Sequence, residues 1–270
     1  MRFFNKRLVV EYFALLSIIS IIFSFAVIVI EIPDNFKIPI GLLLLVFLLS
    51  LYIIMWIKAN LLSEAKIKIN NSTVVVKIGD IFKEDDFKVI AFNEYFDTQV
   101  DNKIIAEKTL NGIYLKELVE NAVELDNLIS NDAHLKDRIL EHNELRACGK
   151  KIKYKLGTIF QHNDYLLTAF TKFDNDNRAY LNMNDYINFL LNFWNEIDII
   201  YAGRSVSIPL LGSGITRFKE YNEIAEQELL ELLIWSFKIS RIKFTYPSKV
   251  SVIIHESKKD KINFYKLKEC

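Results

Sequence analysis

Hydrophobic positions in this chain follow two regimes. Up to about residue 60 they run almost unbroken; beyond it they come in short patterned groups separated by polar turns. Tyr12–Ile30 holds 19 consecutive residues without a charge, and Ile38–Ile57 holds 20. A helix needs about 20 apolar residues to cross the hydrocarbon core of a bilayer, so each run predicts one crossing. Both faces of both helices are apolar, unlike the one-sided stripe of a helix on a soluble core. The connector Glu31–Lys37 is polar and carries a proline suited to a turn. Residues 1–62 are therefore expected to form a transmembrane helical hairpin with spans of about 12–30 and 38–57. The first run is too long for a signal peptide and lacks a small-residue cleavage site.

The rest of the chain alternates two periods. Ser63–Asn71 reads as a linker. Thr73–Ile78 and Lys88–Phe92 are β-runs, and Tyr114–Ile129 has helical spacing. Ala133–Leu145 is a more polar helical segment. Gly157–Gln161 and Tyr165–Lys172 form a strand pair around His162-Asn163-Asp164, and Asp185–Ile197 is an amphipathic helix. Ser205–Leu211 is a strand, Asn222–Ser240 a long amphipathic helix, and Val250–Ile254 and Ile262–Leu267 close the chain as strands. Strands alternating with helices predict an α/β sandwich over residues 63–270, with helices covering a parallel or mixed sheet. Ligands of such sheets settle at the carboxyl ends of the strands. Gly79-Asp80, Asn93 and Gly212–Gly214 all lie just past predicted strand ends.

Charge fixes the expected orientation and narrows the partners. The chain of 270 residues has 34 basic and 34 acidic side chains. Residues 1–62 hold five of the basic and three of the acidic ones, which leaves 29 and 31 for the remainder. A near-neutral domain lacks the basic footprint of a nucleic-acid binder. Arg2, Lys6 and Arg7 precede the first run and Lys58, Lys66 and Lys68 follow the second. The positive-inside rule thus places both termini and the soluble domain in the cytoplasm of a multi-pass cell-membrane protein. Tyr52 and Trp56 sit where interfacial anchors belong, and Ser17, Ser20, Ser24 and Ser50 are candidates for contacts between helices. The two cysteines, Cys148 and Cys270, make neither a disulfide framework nor a metal site, in keeping with a reducing compartment.

Candidate chemistry centres on Ser205–Arg217. A β-run enters Gly212-Ser213-Gly214 shortly before a helix start, so backbone N–H donors and a helix dipole are available to a phosphate or pyrophosphate. An ordinary strand-to-helix loop is the alternative for the same residues. Asp97 and Asp101 are candidates for acid–base work or for binding ribose hydroxyls. Arg204 and Arg217 flank the loop, as phosphate ligands or as solvated charges. Asp174–Asp185 imitates a Ca²⁺ loop but has Ala179 where glycine is needed, and the four histidines are scattered, so no metal is assigned. Ser213 does not lie in Gly-x-Ser-x-Gly.

With those positions in hand, residues from about Thr73 to Leu267 resemble a macro domain, the α/β module that binds ADP-ribose. Val76-Lys77-Ile78-Gly79-Asp80-Ile81 is similar to its first strand and Gly-Asp-Ile signature, which implies that Asp80 accepts from the adenine amino group with the Ile81 backbone beside it. Val89–Asn93 resembles the strand that ends in asparagine near the distal ribose. Ser207–Ile215 resembles the Gly-rich turn that holds the pyrophosphate, implying that role for Gly212, Ser213, Gly214 and Ile215 with Thr216 and Arg217 as neighbours. Most macro domains carry a glycine triplet soon after the asparagine; here Asp97-Thr98-Gln99-Val100-Asp101-Asn102-Lys103 contains none, and the hydrolase site is not carried over.

A narrower resemblance, through Asn93-Glu94-Tyr95-Phe96-Asp97-Thr98, Gly157-Thr158 and Gly212-Ser213-Gly214-Ile215, is to the ThsA macro-domain effectors of Thoeris antiphage defence. Several of these carry two membrane spans first. The resemblance implies a non-enzymatic membrane effector without cofactor or metal. Its macro domain would bind an ADP-ribose-derived signal made by a partner TIR enzyme, through Asp80, Ile81, Asn93, Asp97, Thr98 and Gly212–Arg217. Binding would then drive oligomerisation and membrane disruption. A membrane-tethered ADP-ribose hydrolase and a non-catalytic membrane scaffold are the alternatives.

Overall fold

The computed structural model describes residues 3–174, 176–214, 217–218 and 224–269. The chain divides into two compact units: Met1–Ser63 with Asn263–Leu267, and Glu64–Ile262 with Lys268–Cys270.

The first unit holds α1 (Lys6–Val29) and α2 (Asp34–Asn60), of 24 and 27 residues. At about 1.5 Å per residue both are long enough, and apolar enough, to cross a membrane. Ile22, Phe25, Leu43 and Val46 are exposed along them, outside the buried clusters of the described residues. Asn5 caps α1 by accepting from the Arg7 and Leu8 N–H groups. The connector is shorter than Glu31–Lys37, because α2 already starts at Asp34, where a carboxylate suits the positive end of the helix dipole. Tyr12 Oη donates to the Leu48 carbonyl at 3.2 Å and Tyr52 Oη to that of Phe3 at 2.6 Å. Tyr52 is buried among the rings of Phe3 and Tyr12 and packs within the unit. The hydroxyls of Ser17, Ser24 and Ser50 each donate to the carbonyl four residues back at 2.8 Å, within their own helices.

In the second unit β1 (Glu64–Ile69), β2 (Ser72–Ile78) and β3 (Phe87–Asn93) precede α3 (Leu110–Glu117), α4 (Ala122–Asn131) and the single turn α5 (Ala133–Lys136). The strands β4 (Ile139–His142), β5 (Ile152–Tyr154), β6 (Ile159–His162), β7 (Tyr165–Phe173) and β8 (Ala179–Leu181) follow. The chain closes with α6 (Met183–Ile200), β9 (Val206–Pro209), β10 (Arg217–Phe218), α7 (Glu226–Ser240) and β11 (Lys249–Ile254). Among the described residues the main sheet has the order β1-β2-β11-β9-β3-β7-β8-β10, with β6 beside β7. From β2 to β7 every neighbour pair in that order is parallel; β1 runs antiparallel to β2, β6 and β8 run antiparallel to β7, and β10 is parallel to β8. The sheet is mixed, as expected.

Alternation along the strands sorts the layers. Ile90, Phe92, Leu167 and Ala169 join Tyr114, Leu115, Leu125, Ile129 and Leu135 in one buried cluster, which seats α3, α4 and α5. Phe170, on the other face of β7, packs edge-on against Tyr186 and Phe189 of α6. Trp194 Nε1 on α6 donates to Ser236 Oγ on α7 at 2.9 Å, so a buried indole N–H finds its partner between the two helices.

Four expectations change. Ser63–Asn71 is not a linker: Ala65, Ile67 and Ile69 alternate inward and β1 covers the edge of β2. The Tyr114–Ile129 helix is two helices, because the Asn121 side chain accepts from the Val123 and Glu124 N–H groups and caps α4 afresh. Ala133–Leu145 is one helical turn followed by β4, which pairs with β5. Ile262–Leu267 is not a strand, since β2 and β9 already flank β11 on both sides; Lys266–Glu269 is a 3-10 turn. The expected helix start at Asn222 lies outside the described residues.

Gly112, in the first turns of α3, allows the preceding loop to cross the helix: a Cβ there would stand 2.2 Å from the Ala106 carbonyl oxygen. Gly112→Ala is expected to cost about 1–3 kcal/mol through overpacking against backbone. Thermal unfolding of the purified chain checks this, and an unchanged midpoint would mean the loop yields freely.

Candidate functional site

A cleft of about 690 Å³ opens at the carboxyl ends of the parallel strands. Asp80 after β2, Asn93 at the end of β3, Gly212–Gly214 after β9 and His255 after β11 all line it. Its volume lies within the range of about 300–1,000 Å³ usual for small-molecule sites.

Each of these positions has a local cause. Asp80 caps the 3-10 turn Ile81–Lys83 by accepting from the Phe82 N–H at 3.1 Å. Its side chain is exposed, with one carboxylate oxygen bonded to nothing among the described residues. Ile81 turns into the core and does not line the cleft. At Asn93 the register with β7 slips, Phe92 facing Ala169 and Asn93 facing Thr171, so a bulge re-aims the strand end. Asn93 Oδ1 accepts from the N–H groups of Tyr95 and Asp97, and its Nδ2 donates to Asp97 Oδ2 at 2.9 Å.

Asp97 and Thr98 stand outside the lining. Asp97 is 1 % exposed and takes both Arg146 terminal nitrogens, at 3.1 and 2.7 Å, and the Lys150 N–H at 2.7 Å. Arg146 also lies 3.8 Å over the Tyr95 ring. Thr98 Oγ1 donates to Asp126 at 2.7 Å. Asp101 accepts from the backbone N–H groups of Ile104 and Lys103, which hold its carboxyl below the usual carboxylate range. These acids organise loops; none of them faces the cleft.

The Gly-rich turn is partly open. Gly212 has φ +89°, a left-handed conformation, and a Cβ there would meet Phe218 at 3.2 Å and Leu229 at 3.3 Å. The Ser213 N–H folds back onto the Leu210 carbonyl at 3.3 Å, and its hydroxyl donates to the same oxygen at 2.7 Å. The N–H groups of Gly212 and Gly214 have no partner among the described residues. Tyr186 Oη, wholly buried on α6, donates to the Leu211 carbonyl at 3.1 Å and pins the turn from below. Ile215 and Thr216 lie outside the described residues, and Arg217 contributes backbone to β10. Arg204 is elsewhere: at the amino ends of the strands it pairs with Asp164 at 2.8 Å and Asp86 at 3.5 Å and lies 3.9 Å over Phe87.

Sequence reasoning missed two sides of the cleft. His255, Ser257 and Lys258 line it from the 3-10 turn Glu256–Lys261, and Lys108, Thr109 and Asn111 line it from the start of α3. The first group was findable, because it follows the end of β11 just as Asp80 follows β2. Lys258 and Lys261 both bind Glu226 Oε1 at the start of α7, at 2.7 and 2.9 Å. Burial opposes ionisation of Glu226, but these two hydrogen bonds prevail and draw its carboxyl down to about 2. In the loop that imitates a Ca²⁺ site, Asp174 accepts from the N–H groups of Asp176 and Arg178 and from Arg178 Nε, so its carboxylate serves its own loop.

A mixed sheet between helical layers, with a cleft at the strands' carboxyl ends bounded by a Gly-Asp-Ile turn and a Gly-rich turn, is the architecture of a macro domain. A family model described as the macro domain of the Thoeris protein ThsA matches residues 74–255. The Thoeris protein ThsA of Bacillus amyloliquefaciens (strain Y2) is 46% identical over 234 residues, covering 84% of this chain and 78% of that protein. The chain belongs to the ThsA macro-domain family. Among solved structures, the Oceanobacillus iheyensis macrodomain with ADP superposes with a TM-score of 0.46 at 14% identity, over 76% of this chain and 94% of that one. The same macrodomain with MES bound gives 0.44 at 15%, over 76% and 95%.

Asp97→Ala is expected to destabilise the chain by about 3–5 kcal/mol, because it leaves the buried Arg146 guanidinium unpaired. A melting temperature equal to that of the unsubstituted chain would contradict this. The depressed Glu226 carboxyl stabilises the fold fully above its ordinary value of 4.5, and that contribution is lost as pH falls towards about 2. Glu226→Gln should therefore flatten the acid side of the stability–pH curve, read by thermal melts across that interval.

Proposed function

We propose that this chain is a membrane effector of Thoeris antiphage defence whose macro domain binds an ADP-ribose-derived nucleotide. One observation carries the reading. In a chain of the ThsA macro-domain family, Asp80, Asn93 and Gly212–Gly214, from three separate stretches of sequence, line one cleft of about 690 Å³.

In this reading the free carboxylate oxygen of Asp80 accepts from the adenine amino group, and Asn93 borders the distal ribose. The Gly212 and Gly214 N–H groups, with Ser213 and the adjoining Ile215, Thr216 and Arg217, take the pyrophosphate. Lys108 and Lys258 add positive charge at the rim. Ile81 supports Asp80 from the core side, while Asp97 and Thr98 act indirectly by fixing the loop after Asn93. The protein binds and does not hydrolyse: Asp97 is saturated by Arg146, Lys150 and Asn93 and is not free to activate a water.

The signal is made by a partner TIR-domain enzyme. The domain of residues 63–270 is cytoplasmic, and residues 1–62 sit in the cell membrane as a two-span hairpin. Two helices cannot enclose a water path alone, so membrane disruption needs several copies. The nucleotide promotes assembly only to the extent that it binds the assembled state more tightly.

Titration of ADP-ribose into the detergent-solubilised chain, followed calorimetrically, tests the site. Gly214 gives a selective variant, because its φ is not left-handed and a Cβ there would meet nothing within 4 Å among the described residues. Gly214→Val is expected to keep the melting temperature and to weaken ADP-ribose binding at least about tenfold, a loss of about 1.4 kcal/mol. Undiminished binding by that variant would remove the turn from the site.

A further inference from the structure

Beyond Ile254, where β11 ends, the chain does two things in succession. His255, Ser257 and Lys258 line the cleft. Seven residues past Lys258, Tyr265 belongs to the first unit, packed with Leu8 and Ala59. There its hydroxyl donates to Glu11 Oε2 at 2.5 Å, while Arg7 Nε binds Glu11 Oε1 at 2.9 Å and the Arg7 guanidinium lies 5.5 Å from the Tyr265 ring centre. Glu11 is on α1, where a carboxylate at the edge of an apolar span needs partners. One stretch of backbone therefore carries a cleft residue and a residue that holds the base of the hairpin.

We propose that His255–Leu267 couples the cleft to the hairpin, with Lys258 a positioning residue at the cleft end and the Tyr265–Glu11 hydrogen bond holding the resting arrangement at the other. The proposal rests on the cleft being a nucleotide site. Lys258 shares Glu226 with Lys261, and an anionic ligand in the cleft competes with that carboxylate for the Lys258 ammonium. The segment that carries Lys258 is a 3-10 turn, whose hydrogen bonds are poorer than those of an α-helix and cheaper to rearrange. Seven residues can span at most about 25 Å, so the two roles lie on one short stretch of chain. A ligand that loosens Tyr265 from Glu11 is, by reciprocity, opposed by that contact.

The full chain is reconstituted in vesicles of phosphatidylethanolamine and phosphatidylglycerol; ADP-ribose affinity and release of an entrapped dye are both measured. Tyr265→Phe keeps the ring and removes only the donor; Glu11→Gln removes the charge from the other side. Both variants are expected to bind ADP-ribose about fivefold more tightly or better and to release dye at correspondingly lower concentration. Lys258→Gln is expected to weaken binding and to be non-additive with Tyr265→Phe, as coupled positions are. If the unsubstituted chain and both hairpin-side variants bind ADP-ribose equally and leak at the same concentration, the coupling is overturned while the nucleotide site stands. If the unsubstituted chain binds no ADP-ribose, the nucleotide site fails and the coupling with it.

Discussion

Parallel pairing is the constraint on which the second unit depends. From β2 through β11, β9 and β3 to β7 each strand lies parallel to the next, so all five leave the sheet at one edge. Five loops from distant parts of the sequence are thereby gathered around one opening, where their backbone groups are released from the ladder. The Gly212 and Gly214 amides are the product of that release. The antiparallel strands β1 and β6 close or extend the sheet, while β8, antiparallel to β7, starts at this end and adds Ala179 to the cleft lining.

What holds the opening in shape is a buried ion pair. Arg146 and Asp97 have side chains 6% and 1% exposed, and the guanidinium is further satisfied by Asn177 and the Lys150 carbonyl. Taking such a pair from water is costly, and it is tolerated because nearly every donor and acceptor is matched. Through Asn93 the network reaches the cleft wall. After that asparagine, Asp97, Thr98 and Asp101 are tied by side-chain hydrogen bonds to Arg146, Asp126 and local backbone. The stretch is a brace.

The two units answer to different physics. The second gains stability by burying both faces of a sheet, whereas α1 and α2 present apolar side chains over most of their surface and are long and apolar enough to cross a membrane. The segment after β11 supplies His255 and Lys258 to the cleft lining of the second unit and Tyr265 to the buried cluster of the first.

Two runs of 19 and 20 uncharged residues, and glycine, aspartate and asparagine just past β-runs, were enough to predict two long apolar helices, the α/β architecture and three walls of the cleft. Those features are written locally, in periodicity and in the conformational demands of single residues. Whether Ser63–Asn71 pairs as a strand, whether Asp97 meets Arg146, and which partners Lys258 and Tyr265 find were not local questions. Asp97 meets Arg146 across 49 residues and Tyr265 meets Glu11 across 254. A side chain's partner at such separation is set by which strands pair and which helices cover them, and only the folded chain makes that choice.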